Sequence, residues 1–130
     1  MHELSIAVAV IERAEDTARE HGATGVESVR LRVGALAGVV AESLRFAFEV
    51  AREDTALHGA RLLIEEVPAR ARCTACPAEF AVGTPPELWC PRCDSPATEL
   101  LSGRELELTE VDLTYHDTAG GARRDERVIR

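Results

Sequence analysis

Residues 73–93 read CTACPAEFAVGTPPELWCPRC and contain all four cysteines of the chain, Cys73, Cys76, Cys90 and Cys93. Each Cys-x-x-Cys pair forms a tight knuckle that aims two thiolates at one point, and two knuckles supply the four tetrahedral ligands that a structural zinc ion prefers. The 13 residues between the pairs leave room for a small hairpin. Two disulfides are disfavoured, because the start of the chain lacks the basic and apolar regions of an export signal. A thioredoxin-like redox pair leaves two matched knuckles unexplained. Iron in a rubredoxin-like centre uses the same ligand geometry and stays open beside zinc. Four protein thiolates leave no coordination position for a substrate water, so the default role of such a site is to hold a small module together. Other chemistry has to lie elsewhere in the chain.

On the C-terminal side, RELELTEVDLTYH (residues 104–116) changes parity. Leu106 and Leu108 fall on one face of an extended chain, and Val111, Leu113 and Tyr115 on the other. One uninterrupted strand cannot place both sets on the same face, so a bend or bulge is expected near Thr109 and Glu110. A strand that leaves the cysteine module and re-enters an earlier sheet makes that module an insertion at residues 70–104. The last stretch, DTAGGARRDERVIR, is polar and contains glycine, and a mobile tail is expected over 118–130.

On the N-terminal side the periodicities alternate. Leu4, Ala7, Val8, Ile11, Ala14 and Ala18 follow helical spacing, and Gly22 offers a stop after His21. VESVRLRVG alternates Val29, Leu31 and Val33 against Ser28, Arg30 and Arg32, the pattern of a strand with one covered face. Gly34 and Gly38 bracket a turn-rich connection. A second helix is predicted through Leu44, Ala47, Phe48 and Ala51. ARLLIEEV is a second strand, ended by Pro68. The fold class expected is therefore α+β: a small mixed sheet with two helices over residues 1–69 and 105–117, interrupted by the zinc-ribbon module.

Composition narrows the partners. A formal net charge of -8 opposes nucleic acid and anionic membranes, whose recognition rests on clustered basic residues. No apolar run approaches the roughly 20 residues needed to cross a bilayer, and a cytoplasmic protein is expected. There is no Ser/His/Asp grouping, no P-loop and no His-x-x-x-His, so nothing marks an enzyme. A zinc-ribbon module for protein interaction or nucleic acid is the alternative; it accounts for the knuckles alone, and its nucleic-acid form conflicts with the acidic balance.

The chain starts MHELSIA. Of the four histidines, His21, His58 and His116 read as solvated surface groups, while His2 stands beside the terminus. Initiator Met is normally removed only before a small residue, so His2 keeps Met1 in place. The Met1 amine, the backbone nitrogens of His2 and Glu3 and the His2 imidazole are then linked through short chelate rings. Such a nitrogen-rich set suits nickel(II) or copper(II), and the Glu3 carboxylate could add an oxygen. The first helix starts within a few residues of His2, and its dipole opposes a cation there, an effect that Glu3 offsets.

Taken together, MHELSIA, LRVGALAGVVAESLRFAFEV, two knuckles ending in CPRC and the closing LELTEVDL resemble the HypA/HybF family of hydrogenase maturation nickel chaperones. The resemblance runs from Met1 to about Tyr115. It implies an α+β nickel-binding domain with an inserted zinc ribbon, a structural zinc on the four cysteines, and transported nickel at Met1, His2 and Glu3. It also implies delivery to the large subunit of nickel-iron hydrogenase together with HypB, a nickel-handling GTPase; a homodimer is compatible with it. Some relatives carry an acidic residue in the turn before the second helix, where this chain has Val40, with Glu42 close by.

Overall fold

A computed structural model describes residues 2–83, 86–116 and 123–129. The order of elements is α1 (Glu3–Glu20), β1 (Gly25–Gly34), α2 (Ala41–Ala51), β2 (Arg61–Val67), β3 (Arg70–Cys73), β4 (Glu79–Ala81), β5 (Thr98–Ser102), β6 (Leu106–His116) and β7 (Arg123–Ile129). The strands form two sheets, one in the order β2-β1-β6-β7 and one in the order β4-β3-β5. The chain divides into two compact units, Met1–Leu31 with Val39–Glu65 and Glu107–Arg130, and Arg32–Gly38 with Glu66–Leu106. No helix among the described residues is long and apolar enough to cross a membrane.

The larger sheet is mixed, as its hydrogen bonds show. The N-terminal end of β1 meets the C-terminal end of β6, where Thr24 N–H donates to Thr114 O, and the opposite end has Gly34 N–H donating to Glu105 O, so the two strands are antiparallel. Strands β1 and β2 finish together, with Ala35 N–H donating to Val67 O, and are joined through α2 as a parallel pair requires.

The core of the first unit is built from Ala7, Ile11 and Ala14 of α1, Leu44 and Phe48 of α2, Val29 and Leu31 of β1, and Val111 and Leu113 of β6. Helices α1 and α2 pack on each other. The α1 stripe is rotated from its expected position. Val10 and Thr17 are buried, whereas Leu4 and Val8 are exposed. Thr17 can be buried because its Oγ1 donates to Arg13 O at 3.0 Å, which satisfies the hydroxyl inside the helix. Alternate positions of β1 and β6 carry polar pairs instead: Ser28 Oγ donates to Asp112 Oδ2 at 2.9 Å, and Arg30 Nε to Glu110 Oε1 at 3.1 Å.

Strand β6 runs as one element from Leu106 to His116, and Val111 and Leu113 are buried while Leu106 is exposed. One expectation from the C-terminal sequence changes. The tail expected to be mobile from residue 118 instead contains β7, antiparallel to β6 in a continuous register from Glu110↔Ile129 to His116↔Arg123. Pairing through the backbone needs no alternation of side chains, and charged residues are what an outermost strand usually carries.

The second unit has its own small core of Ala69, Ala71, Cys73, Phe80, Val82 and Cys90, with Leu36 and Leu100 partly buried against it. Strand β3 is its centre, antiparallel to both β4 and β5. The unit is wider than the expected 70–104 stretch, because Leu36 N–H donates to Gly103 O and Gly34 N–H to Glu105 O, strapping the turn after β1 onto it. This approach requires glycine twice. A Cβ on Gly34 would lie 2.2 Å from the Gly103 carbonyl carbon, and Gly103 itself has φ +125° with Ala69 Cβ 2.7 Å from where its own Cβ would stand.

Gly34→Ala should therefore cost at least about 3 kcal/mol, since only backbone can yield to the new methyl. Gly22→Ala is the control: Gly22 has φ +68° but open space around it, so its loss should be about 1–2 kcal/mol. Urea midpoints of the two variants against the parent protein check the difference.

Candidate metal centres and family

The four cysteines are brought together. Their sulfurs all lie within 4.8 Å of one another, and all four are free thiols. Cys73 Sγ is 3.6 Å from Cys93 Sγ, and Cys76 Sγ is 3.7 Å from Cys90 Sγ. A tetrahedral ion with metal–sulfur bonds of about 2.3 Å has sulfur–sulfur edges of about 3.8 Å. The cluster thus has the donor number, donor type and spacing of a structural zinc site.

Local backbone produces this geometry. Cys73 ends β3, and Ala75 N–H donates back to its sulfur at 3.3 Å. In the second knuckle Arg92 N–H and Cys93 N–H both donate to Cys90 Sγ at 3.4 Å. Thr74 N–H donates to Ala97 O, and Cys90 N–H to Ser95 O, so each knuckle is closed by a strand or turn beside it. Donors aimed at sulfur favour thiolate over thiol.

The thiols do not titrate alike. Burial pushes Cys90 up, but the N–H groups of Cys93 and Arg92, together with the Cys76 and Cys93 sulfurs, outweigh it and bring the thiol down to about 7. A hydrogen bond from Ser95 N–H lowers Cys93, yet the neighbouring Cys73 sulfur, burial, and then Cys76 and Cys90 raise it to about 12. Four sulfurs this close cannot all carry negative charge unaided, and a divalent cation among them removes the conflict.

The N-terminal candidates lie at the start of α1. His2 is its N-cap residue and is exposed, with no side-chain cap bond. Ile6 N–H donates to His2 O at 3.0 Å, which begins the helix. Met1 falls outside the described residues. Glu3 occupies the first helical position, and its Oε2 accepts the Val40 N–H at 3.1 Å. Sequence pattern gave no sign of this contact across 37 positions. Val40 is the N-cap of α2 and Glu42 stands in its first turn, so the beginnings of the two helices meet.

The remaining histidines do not join either group. His21 closes α1, its Nδ1 2.9 Å from Thr17 O, and the helix of 18 residues between it and His2 is about 27 Å long. His58 Nδ1 lies 3.3 Å from Glu53 Oε2, both side chains largely exposed. The His116 side chain falls outside the described ones.

Comparison with known proteins converges on one family. A hydrogenase maturation factor HypA of Streptomyces avermitilis is 54% identical over 112 residues, covering 85% of this chain and 86% of its own. Its counterpart in Chloroflexus aurantiacus is 50% identical over 112 residues, covering 86% and 98%. The solution structure of the Ni metallochaperone HypA from Helicobacter pylori shares the fold, with a TM-score of 0.59 at 24% identity over 87% of this chain and 97% of that one. The family model described as hydrogenase/urease nickel incorporation, metallochaperone, hypA matches residues 1–113. Two helices on a mixed sheet, a four-thiol ribbon and that match together place the chain in the HypA family of metallochaperones, which are not enzymes.

Proposed function

We propose that this protein binds nickel(II) at its N-terminus and delivers it during maturation of nickel-iron hydrogenase, with a structural zinc ion in the ribbon. The observation that carries this function is a family match that starts at residue 1 and so includes Met1, His2 and Glu3. The nickel donors are the Met1 amine, the backbone nitrogens of His2 and Glu3, and the His2 imidazole, which offer the near-planar nitrogen set that nickel(II) favours. The unit of Met1–Leu31, Val39–Glu65 and Glu107–Arg130 is the nickel-handling one, and the unit of Arg32–Gly38 and Glu66–Leu106 is the zinc ribbon. HypB supplies the GTPase of the pathway, and the hydrogenase large subunit receives the metal. Four free thiols fit a reducing, cytoplasmic setting.

His2 stands exposed at the positive end of α1. A cation there works against the helix dipole, at a cost of about 0.3–1 kcal/mol. Backbone nitrogens become donors only after losing a proton, so nickel affinity falls as pH falls. Weak, proton-coupled binding suits a carrier that must release its load.

His2→Ala should lower nickel affinity at least tenfold, about 1.4 kcal/mol or more, while zinc content and far-UV circular dichroism stay unchanged. Calorimetric titration of untagged protein measures it, and unchanged affinity would move the site elsewhere. Affinity measured between about pH 6 and 8 should rise with pH; a flat profile would exclude the amine, amide and imidazole set.

For the ribbon, the parent protein should carry about one zinc per chain, and Cys76→Ala should release it. Limited proteolysis of that variant should then cut first within residues 70–104, because the ion supplies much of the folding energy of a core this small. Iron or disulfides in the purified protein, or earliest cutting in α1, would count against the assignment.

A further inference from the structure

Helix α2 lacks a capping side chain of its own. Its N-cap is Val40, with no side-chain cap bond, although the first N–H groups of a helix need acceptors that the helix cannot provide. One acceptor comes from α1, where Glu3 Oε2 takes the Val40 N–H at 3.1 Å. Beyond the other end of α2, Glu15 Oε2 takes the Ala56 N–H, again at 3.1 Å. Two carboxylates about 18 Å apart along α1 thus grip the α2 segment before its start and after its end. The same order of contacts makes the two helices run in the same direction.

We infer that the Glu3 carboxylate is a positioning group that latches the metal-binding terminus to the start of α2, and that it is not a nickel donor; this rests on the N-terminal nickel site proposed above. Three observations carry it. The carboxylate sits at the N-terminal ends of both helices, where two positive dipole ends favour a negative charge. Its Oε2 is already taken by the Val40 N–H, so a metal on that oxygen would take from Val40 the acceptor it has. Position 40 is valine, so its own side chain cannot take over the capping when Glu3 leaves. Nickel(II) with amine, amide and imidazole nitrogens to hand does not need the oxygen. With the side chain anchored, the backbone of residues 2 and 3 is held beside the start of α2, and anything that pulls on that turn also pulls on the nickel donors.

Backbone amide exchange by NMR and nickel absorption spectroscopy on untagged full-length protein test the latch, with Glu3→Gln and Glu3→Ala as variants. Zinc content and circular dichroism confirm that both fold. In metal-free protein the Val40 amide should be protected in the parent and in Glu3→Gln, whose amide oxygen still accepts, and should exchange at least tenfold faster in Glu3→Ala. Nickel loading should leave Val40 protection unchanged. The ligand-field band should keep its position in all three proteins, while loss of nickel to a chelator should quicken several-fold in Glu3→Ala alone. Equal Val40 exchange in the parent and Glu3→Ala overturns the latch. Loss of Val40 protection on nickel loading, or a shifted band in Glu3→Gln, makes the carboxylate a donor and overturns the assignment. A parent protein that takes up no nickel overturns instead the site on which the latch rests.

Discussion

Four sulfurs within 4.8 Å of one another are the constraint on which the second unit depends. Its core consists of little beyond two alanines, a phenylalanine, a valine and two of the cysteines themselves. Burial of that size contributes only a few kcal/mol against the entropy of ordering the segments that form it. The sulfurs are therefore part of the core as well as ligands, and their mutual repulsion as thiolates gives a divalent ion a large share in holding the unit together. The glycine approach at Gly34 and Gly103 follows from the same shortage: with so few side chains to bury, the segments close backbone against backbone.

The parts of this structure legible in the sequence are those whose determinants are local. Ligand spacing within a Cys-x-x-Cys knuckle is a property of four residues, and both knuckles form as the spacing implies. Helix α2 is legible for the same reason, its buried Leu44, Ala47 and Phe48 lying one turn apart. In α1 the competing choice of face, Val8 or Val10, is settled by neighbours far along the chain, and a self-satisfied Thr17 takes a place that an apolar count would not assign to it. Strand β7 is illegible to side-chain periodicity because β6 offers it a row of backbone donors and acceptors, which any sequence able to extend can use.

The candidate nickel site divides in the same way. That His2 and Glu3 sit where a helix begins follows from the apolar spacing behind them. That Glu3 reaches Val40 does not, since nothing in a valine announces that its N–H will need a distant acceptor. Aligned by motif alone, Val40 looks like a missing acidic residue. Placed in the fold it is the position whose backbone holds the acidic residue at 3, so a carboxylate still stands where the two helices start.

Physical chemistry sets the two metal environments far apart. In the ribbon, four potential anions surround one point, two of them on buried residues, and backbone N–H groups aim at the sulfurs. Every one of these features favours keeping a cation. At the terminus, the donors of the proposed nickel site are nitrogens that compete with protons, around an exposed His2 at the positive end of a helix. Each feature there weakens binding or couples it to pH. One chain can carry both because the charge compensation differs: in the ribbon four sulfurs surround the point a divalent ion would take, whereas at the terminus the Glu3 carboxylate is tied to the second helix. A cation bound beside a charge that does not touch it gains electrostatic attraction without a bond that must be broken on release.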